Sequence, residues 1–100
     1  MTLATPDGQG PLRRERLRNA RLYFVCNARP GGNDPEPLLR AAINGGVDII
    51  QLREKEADGR IIERSAATFR RVCNSSSVPF MVNDDPELAV TLGADGVHIG

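Results

Sequence analysis

Gln51, Arg53 and Lys55 occupy alternate positions where an apolar run gives way to charge, in Asp48-Ile-Ile-Gln-Leu-Arg-Glu-Lys55. Side chains of a strand alternate between its faces, so Gln51 and Arg53 share one face, joined by Lys55 if the chain stays extended, while Ile50 and Leu52 take the other. Packing gives no reason for an amide, a guanidinium and an ammonium in this row. Their donors together match an oxygen-rich anion such as phosphate or pyrophosphate. The plain alternative is that Arg53 and Lys55 leave a strand end for solvent and pair with Glu54 and Glu56. Gln51, one step deeper in the strand, favours a binding site. Two further groups could do chemistry. Asn83 with Asp84, read alone, is an ordinary helix cap, and His98, read alone, is a hydrogen-bonded core histidine.

The elements that position these residues follow from periodicity. Residues 22–26 form a β-branched and aromatic run that predicts a strand, and 27–32 a Pro/Gly loop. Asn33 or Asp34 caps a helix that opens with Pro35 and Glu36, carries Leu38, Leu39, Ala42 and Ile43 on its apolar face, and ends at Gly45 and Gly46. The second strand is 47–53. A second helix covers about 59–73, with Ile62, Ala66, Phe69 and Cys73 at the spacing of a buried face. The third strand is 79–83. Asp84 or Asp85 then caps a short helix with Pro86 and Glu87 in its first turn, which buries Leu88, Ala89 and Leu92 and stops at Gly93. The fourth strand is 96–99. Two corners repeat each other, Asn44-Gly-Gly-Val-Asp48 and Leu92-Gly-Ala-Asp95, each ending a helix on glycine and starting a strand past an aspartate. Such repetition indicates serial βα units, with Asp48 and Asp95 fixing the corners.

Apolar strands alternating with helices require a mainly parallel sheet shielded by helices. A (β/α)8 barrel and an open doubly wound sheet both satisfy this. The glycines of Ala28-Arg-Pro-Gly-Gly32 lack the spacing of a dinucleotide-binding turn. In both architectures binding groups gather at the carboxyl ends of strands, where Gln51, Arg53 and Lys55, the Asn83-Asp84 pair and His98 all fall.

Composition narrows the class. The 100 residues carry 13 Lys and Arg against 13 Asp and Glu, so neither nucleic acid nor a membrane surface is indicated as a partner. No apolar run has the length of a membrane span or the form of a secretory leader. Cys26 and Cys73 have neither zinc-site nor disulfide-scaffold spacing and read as reduced, core-side thiols of a cytoplasmic protein. Residues 1–20 are expected to be an N-terminal tail, loose over 1–10, with a possible short Arg-rich surface helix over 11–21. Five arginines in that stretch invite a nucleic-acid reading, but without interleaved aromatics a solvated helix is favoured. Residues 21–100 form the folded unit.

Taken together, Leu22-Tyr-Phe-Val25, Gly45-Gly-Val-Asp-Ile-Ile-Gln-Leu-Arg-Glu-Lys55, Val82-Asn-Asp84 and Gly93-Ala-Asp-Gly-Val-His-Ile-Gly100 resemble the thiamine-phosphate synthase (thiamine-phosphate pyrophosphorylase) family over about residues 22–100. The resemblance implies the first half, about four βα units, of a (β/α)8 TIM barrel. It implies a transferase that couples hydroxymethylpyrimidine diphosphate with a thiazole phosphate, giving thiamine phosphate and pyrophosphate. By the same resemblance Gln51, Arg53, Glu54, Lys55 and Asn83 bind the pyrimidine diphosphate, His98 lies near the pyrimidine, Asp84 binds Mg2+, and Arg53 and Lys55 act in catalysis. Asp85 caps its helix or supports the metal. His98 shares its face with Gly96 and Gly100, which leave room for a ligand, while Val97 and Ile99 face the helices. The implied mechanism is dissociative and needs no protein nucleophile, and the chain offers no Ser/His/Asp or Cys/His constellation.

Asn27 stands where the family often has an aspartate. A whole barrel typically has about 250 residues, so the second magnesium carboxylate and the thiazole-phosphate loop are expected beyond Gly100, and the chain alone is expected to be inactive and marginally stable, with exposed strand edges. Two other functions are weighed: a thiazole tautomerase of the same fold, whose members tend to lose the residues matching Gln51, Lys55, Asn83 and Asp84, and a non-catalytic half-barrel that needs a partner chain.

Overall fold

The computed structural model describes residues 2–4 and 22–99. Among the described residues five strands form one sheet: β1 (Thr2–Ala4), β2 (Tyr23–Cys26), β3 (Ile49–Leu52), β4 (Phe80–Asn83) and β5 (Gly96–Ile99). Their order is β1-β5-β4-β3-β2, with β2 through β5 parallel and β1 antiparallel to β5. Between the parallel strands run α1 (Glu36–Asn44), α2 (Gly59–Ser75) and α3 (Pro86–Leu92), and a short 3-10 turn, Pro30–Gly32, precedes α1. The α/β class and the alternation of strand and helix are therefore as expected. No helix among the described residues is long and apolar enough to cross a membrane.

Most element ends lie within two residues of their predicted places, and the caps are resolved. At α1 neither Asn33 nor Asp34 is the cap: Pro35 takes that position without a side-chain cap bond, and the Asp34 carboxylate accepts from the Glu36 N–H at 2.8 Å just ahead of the helix, whereas Asp58 caps α2 by accepting from Ile61 at 3.0 Å. At α3 the alternatives separate: Asp85 is the cap, accepting from Leu88 at 2.9 Å, and Asp84 is not. Gly93, at φ 68°, closes α3 in the left-handed region that favours glycine.

One side of the sheet carries the core. Ile50, Leu52, Phe80, Val82 and Val97 pack against Leu39 of α1, Ala66, Phe69, Val72 and Cys73 of α2, and Ala89 and Leu92 of α3. The Phe69 and Phe80 rings are 5.7 Å apart and tilted. Leu38, assigned to the apolar face of α1, is instead 41% exposed, since Leu39 takes the inward position. Ile99 is also exposed at 41%, and Val97 alone carries the expected packing of β5 against the helices.

The repeated corners are repeated hydrogen bonds. Asp48 Oδ2 accepts from the Leu22 N–H at 2.9 Å while its own N–H donates to the Leu22 carbonyl. Asp95 does the same to Phe80, at 2.6 Å and 2.7 Å. Each aspartate thus pins the beginning of the preceding strand to the beginning of its own, which is why β3 starts at Ile49 and not at Val47.

The N-terminal expectation is corrected in part. Thr2–Ala4, within the stretch read as loose tail, pairs with β5 in the register Thr2↔Ile99, Leu3↔His98 and Ala4↔Val97. Without that pairing the outer edge of β5 would present unsatisfied backbone groups, and Thr-Leu-Ala precedes the first proline and glycine, Pro6 and Gly8, on which the tail reading rested. The helix expected over 11–21 falls outside the described residues.

Candidate active site

The face of the sheet opposite the helices holds a cleft of about 460 Å³ at the carboxyl ends of the parallel strands, lined by Tyr23, Val25, Gln51, Arg53, Asn83, Asp84 and His98. Alternation places these side chains: Tyr23 and Val25 point together from β2, and Gln51 is followed by Arg53 just past β3. Register aligns them across the sheet, with Val25 opposite Gln51 and Asn83 opposite His98.

Gln51 is the hub. It is 2% exposed, and a buried amide needs partners for its polar atoms. Its Oε1 accepts the Tyr23 hydroxyl at 2.7 Å and meets His98 Nδ1 at 3.1 Å. Its Nε2 donates to Asn83 Oδ1 at 3.0 Å, and Asn83 Nδ2 donates in turn to Asp84 Oδ2 at 3.2 Å. The second hydrogen on Gln51 Nε2 has no partner among the described residues. Tyr23 and His98 also meet edge to face, with ring centroids 6.2 Å apart. Burial pushes the Tyr23 phenol above its ordinary value, so it acts as a donor at neutral pH. Asp84 leaves β4 at φ 61°, a left-handed conformation that aspartate tolerates better than most residues, and its N–H donates to the His98 carbonyl at 2.8 Å.

Arg53 is exposed at the mouth, and among the described residues neither it nor Lys55 forms an ion pair. The alternative in which these cations pair with Glu54 and Glu56 is therefore not what the structure shows. Glu54 is occupied elsewhere: its carboxylate accepts the N–H of Ala28 at 2.9 Å and of Glu56 at 3.2 Å, tying the loop after β2 to the loop after β3. Burial pushes its carboxyl up, but the surrounding backbone N–H groups outweigh that and hold it below the ordinary range. Glu54 is thus placed as a loop brace and does not line the main cleft. Lys55 lies with Asn27, Glu54 and Glu56 around a neighbouring cleft of about 320 Å³, and Arg53 borders both.

Gln51, Arg53, Asn83, Asp84 and His98 are therefore brought together, while Glu54 and Lys55 stand one cleft away. Sequence reasoning passed over Tyr23 and Val25, although the alternation within 22–26 already put both on one face. No group of three or more His, Cys, Asp or Glu side chains suited to a metal occurs among the described residues; Asp84 supplies a single carboxylate at the main cleft.

Residues 22–100 match the family model described as thiamine monophosphate synthase. The chain belongs to that family. Among its relatives named thiamine-phosphate synthase, one from Bacillus cereus is 46% identical over 82 residues, covering 79% of this chain and 37% of the relative. Another Bacillus cereus strain has one 41% identical over 90 residues, covering 86% and 41%. One from Geobacillus thermodenitrificans is 40% identical over 82 residues, covering 79% and 37%. The chain thus spans about two fifths of the length of these thiamine monophosphate synthase relatives.

Proposed function

We propose that this chain provides the pyrimidine-diphosphate half of a thiamine-phosphate synthase site, in which hydroxymethylpyrimidine diphosphate condenses with thiazole phosphate to give thiamine phosphate and pyrophosphate. The observation that carries the reading is the buried Gln51 with its hydrogen-bonded neighbours Tyr23, His98 and Asn83, lining one cleft with Asp84 and with Arg53, which forms no ion pair among the described residues. A heterocycle fits the floor of such a cleft and a diphosphate its cationic mouth. The tautomerase alternative makes no new bond and expels no diphosphate, and the residues its members tend to lose, those matching Gln51, Lys55, Asn83 and Asp84, are all present here.

The same reading places the sheet in a (β/α)8 barrel. Each parallel strand from β2 to β5 pairs with the next in sequence, with no reversal of order. A barrel needs that succession, whereas a doubly wound sheet has a switch point.

In the reaction the carbon–oxygen bond to diphosphate breaks, its electron pair leaving with the oxygen, and the thiazole nitrogen lone pair closes the new bond to the pyrimidine methylene. Charge builds on the departing diphosphate, and the Arg53 guanidinium at the mouth stabilises it electrostatically. Lys55, which lines the neighbouring cleft that Arg53 also borders, would add a second cation for the same anion. Tyr23, Gln51 and His98 hold the pyrimidine. Magnesium ordinarily takes one or two carboxylates and completes its shell with phosphate oxygens and water. The donor set fits that demand, with Asp84 as the residue that would hold the ion and the diphosphate as its other ligand. The bound ion would supply further neutralisation of the leaving group.

Titration calorimetry with pyrophosphate and Mg2+ tests the reading. Losing one charge-assisted contact costs about 1.5–3 kcal/mol, so Arg53→Ala should weaken binding roughly ten- to hundredfold. Asp84→Ala should remove the magnesium dependence. Unchanged binding in both variants rejects the assignment.

A further inference from the structure

We infer that the polar chain across the cleft has a fixed direction, set at Asp84, which selects the Nδ1–H tautomer of the His98 imidazole and leaves Nε2 as the acceptor. The argument needs only the donor inventory. A carboxylate accepts and cannot donate, so the Asn83 group facing Asp84 Oδ2 at 3.2 Å must be its NH2. Asn83 then turns Oδ1 to Gln51, which must present Nε2, at 3.0 Å. The amide of Gln51 is thereby oriented with Oε1 toward Tyr23 and His98, and both must donate to it. An unprotonated Nδ1 would set two lone pairs against each other at 3.1 Å. Tyr23 is thus a positioning residue that fills the second lone pair of Oε1 and braces the imidazole edge to face.

Free imidazole in water favours the opposite tautomer, so the protein selects the rarer one. His98 Nε2 has no protein partner among the described residues, and the spare hydrogen on Gln51 Nε2 has none either. The cleft therefore offers one acceptor and one donor. A heterocycle with an exocyclic amino group beside a ring nitrogen, as in an aminopyrimidine, supplies the converse pair; this last step rests on the proposed function, whereas the tautomer does not.

The chain has one histidine, so long-range proton–nitrogen correlation spectra of the uniformly 15N-labelled protein at alkaline pH report His98 alone. Expected are a pyrrole-type Nδ1 and a pyridine-type Nε2. A pyrrole-type Nε2, or averaged shifts, overturns the inference. Asp84→Asn lets both amides reverse and should shift His98 toward the Nε2–H form. Adding Gln51→Glu to that variant restores an acceptor-only group opposite Nδ1 and should restore the Nδ1–H form; an Asp84→Asn spectrum like the parent's, or no restoration, overturns the direction proposed. An aminopyrimidine without diphosphate should then move Nε2 and leave Nδ1 in place. If Nε2 does not move while the tautomer holds, the substrate reading fails and the polarity stands.

Discussion

The two repeated corners read as equivalent in sequence, and the structure predicts that they are not equivalent in energy. Asp95 Oδ2 holds the N–H of Phe80, a residue 1% exposed, at 2.6 Å. Asp48 Oδ2 holds the N–H of Leu22, a residue 53% exposed, at 2.9 Å. When Asp95 is replaced by alanine, the Phe80 N–H loses a charged acceptor in a place that water does not readily fill. A hydrogen bond to a charged group contributes about 1.5–3 kcal/mol, and a buried orphan donor costs a similar amount, so Asp95→Ala should lose about 2–3 kcal/mol. When Asp48 is replaced, solvent can take over the Leu22 N–H and the loss should be only about 0.5–1 kcal/mol.

For a domain of this size 1 kcal/mol moves the melting temperature by roughly 4–8 °C. The pair therefore separates into a fall of roughly 10 °C or more for Asp95→Ala and one of a few degrees for Asp48→Ala. Urea unfolding followed by circular dichroism, with the slope checked for constancy, gives the same comparison isothermally. Asp95→Asn retains an uncharged acceptor and should fall between. Equal losses at the two corners, or a larger loss at Asp48, would refute the view that burial of the partner N–H sets the value of the motif.

Two more outcomes follow from the charges and thiols. Glu36 accepts from Arg71 at 2.7 Å and from Arg40 at 2.8 Å, and these hydrogen bonds, that from Arg71 foremost, lower its carboxyl from 4.5 to about 2. A depressed folded-state value contributes stability that is present above about 4.5 and lost as pH falls toward about 2. Glu36→Gln should flatten the pH dependence of stability in that window, and salt should shrink the effect because the cluster is exposed. Cys73 is pushed up to about 12, first by burial and then by the charge of Asp95. At pH 8 a thiol reagent should leave it unmodified in the native protein and label it rapidly in denaturant.

Much of the fold was legible because its signals are local. Period-two and period-three-and-four patterns, glycine stops and acidic caps fix where elements begin and end, and they do so whatever the far contacts are. The cleft was legible through Gln51 and Arg53, which packing could not explain; Asn83, Asp84 and His98 read alone as a helix cap and a core histidine, and only the family resemblance joined them to the site. What the sequence left open depends on distance along the chain. Glu54 looked like one of a charged row, and only the return of the loop after β2 shows its carboxylate bracing Ala28, 26 residues away. Lys55 was grouped with Arg53 on the assumption of an extended chain, but β3 ends at Leu52 and the loop carries Lys55 into the next cleft. Tyr23 was unremarkable until Gln51, 28 residues on, was seen accepting its hydroxyl proton. The pairing of Thr2–Ala4 with β5 is likewise a contact between distant parts of the chain, invisible to composition.

The polar chain also bears on how the sheet keeps its register. Tyr23, Gln51, Asn83 and His98 come one from each parallel strand, so the chain closes only when all four strands are aligned together. A slip of one residue in β3 would carry Gln51 to the helix face and bring Ile50 or Leu52 into the cleft, leaving the Tyr23 hydroxyl and Asn83 without their partners. The same slip would withdraw Ile50 and Leu52 from the core around Phe69 and Phe80. Both faces of the sheet therefore penalise the same error, one through lost apolar burial and the other through stranded polar groups. Such agreement between levels gives a sequence a single well-separated native arrangement. On this argument the buried glutamine cannot be replaced simply: an apolar residue of its size would fill the space, but it would leave β2, β4 and β5 without the hydrogen bonds that align them on the cleft side.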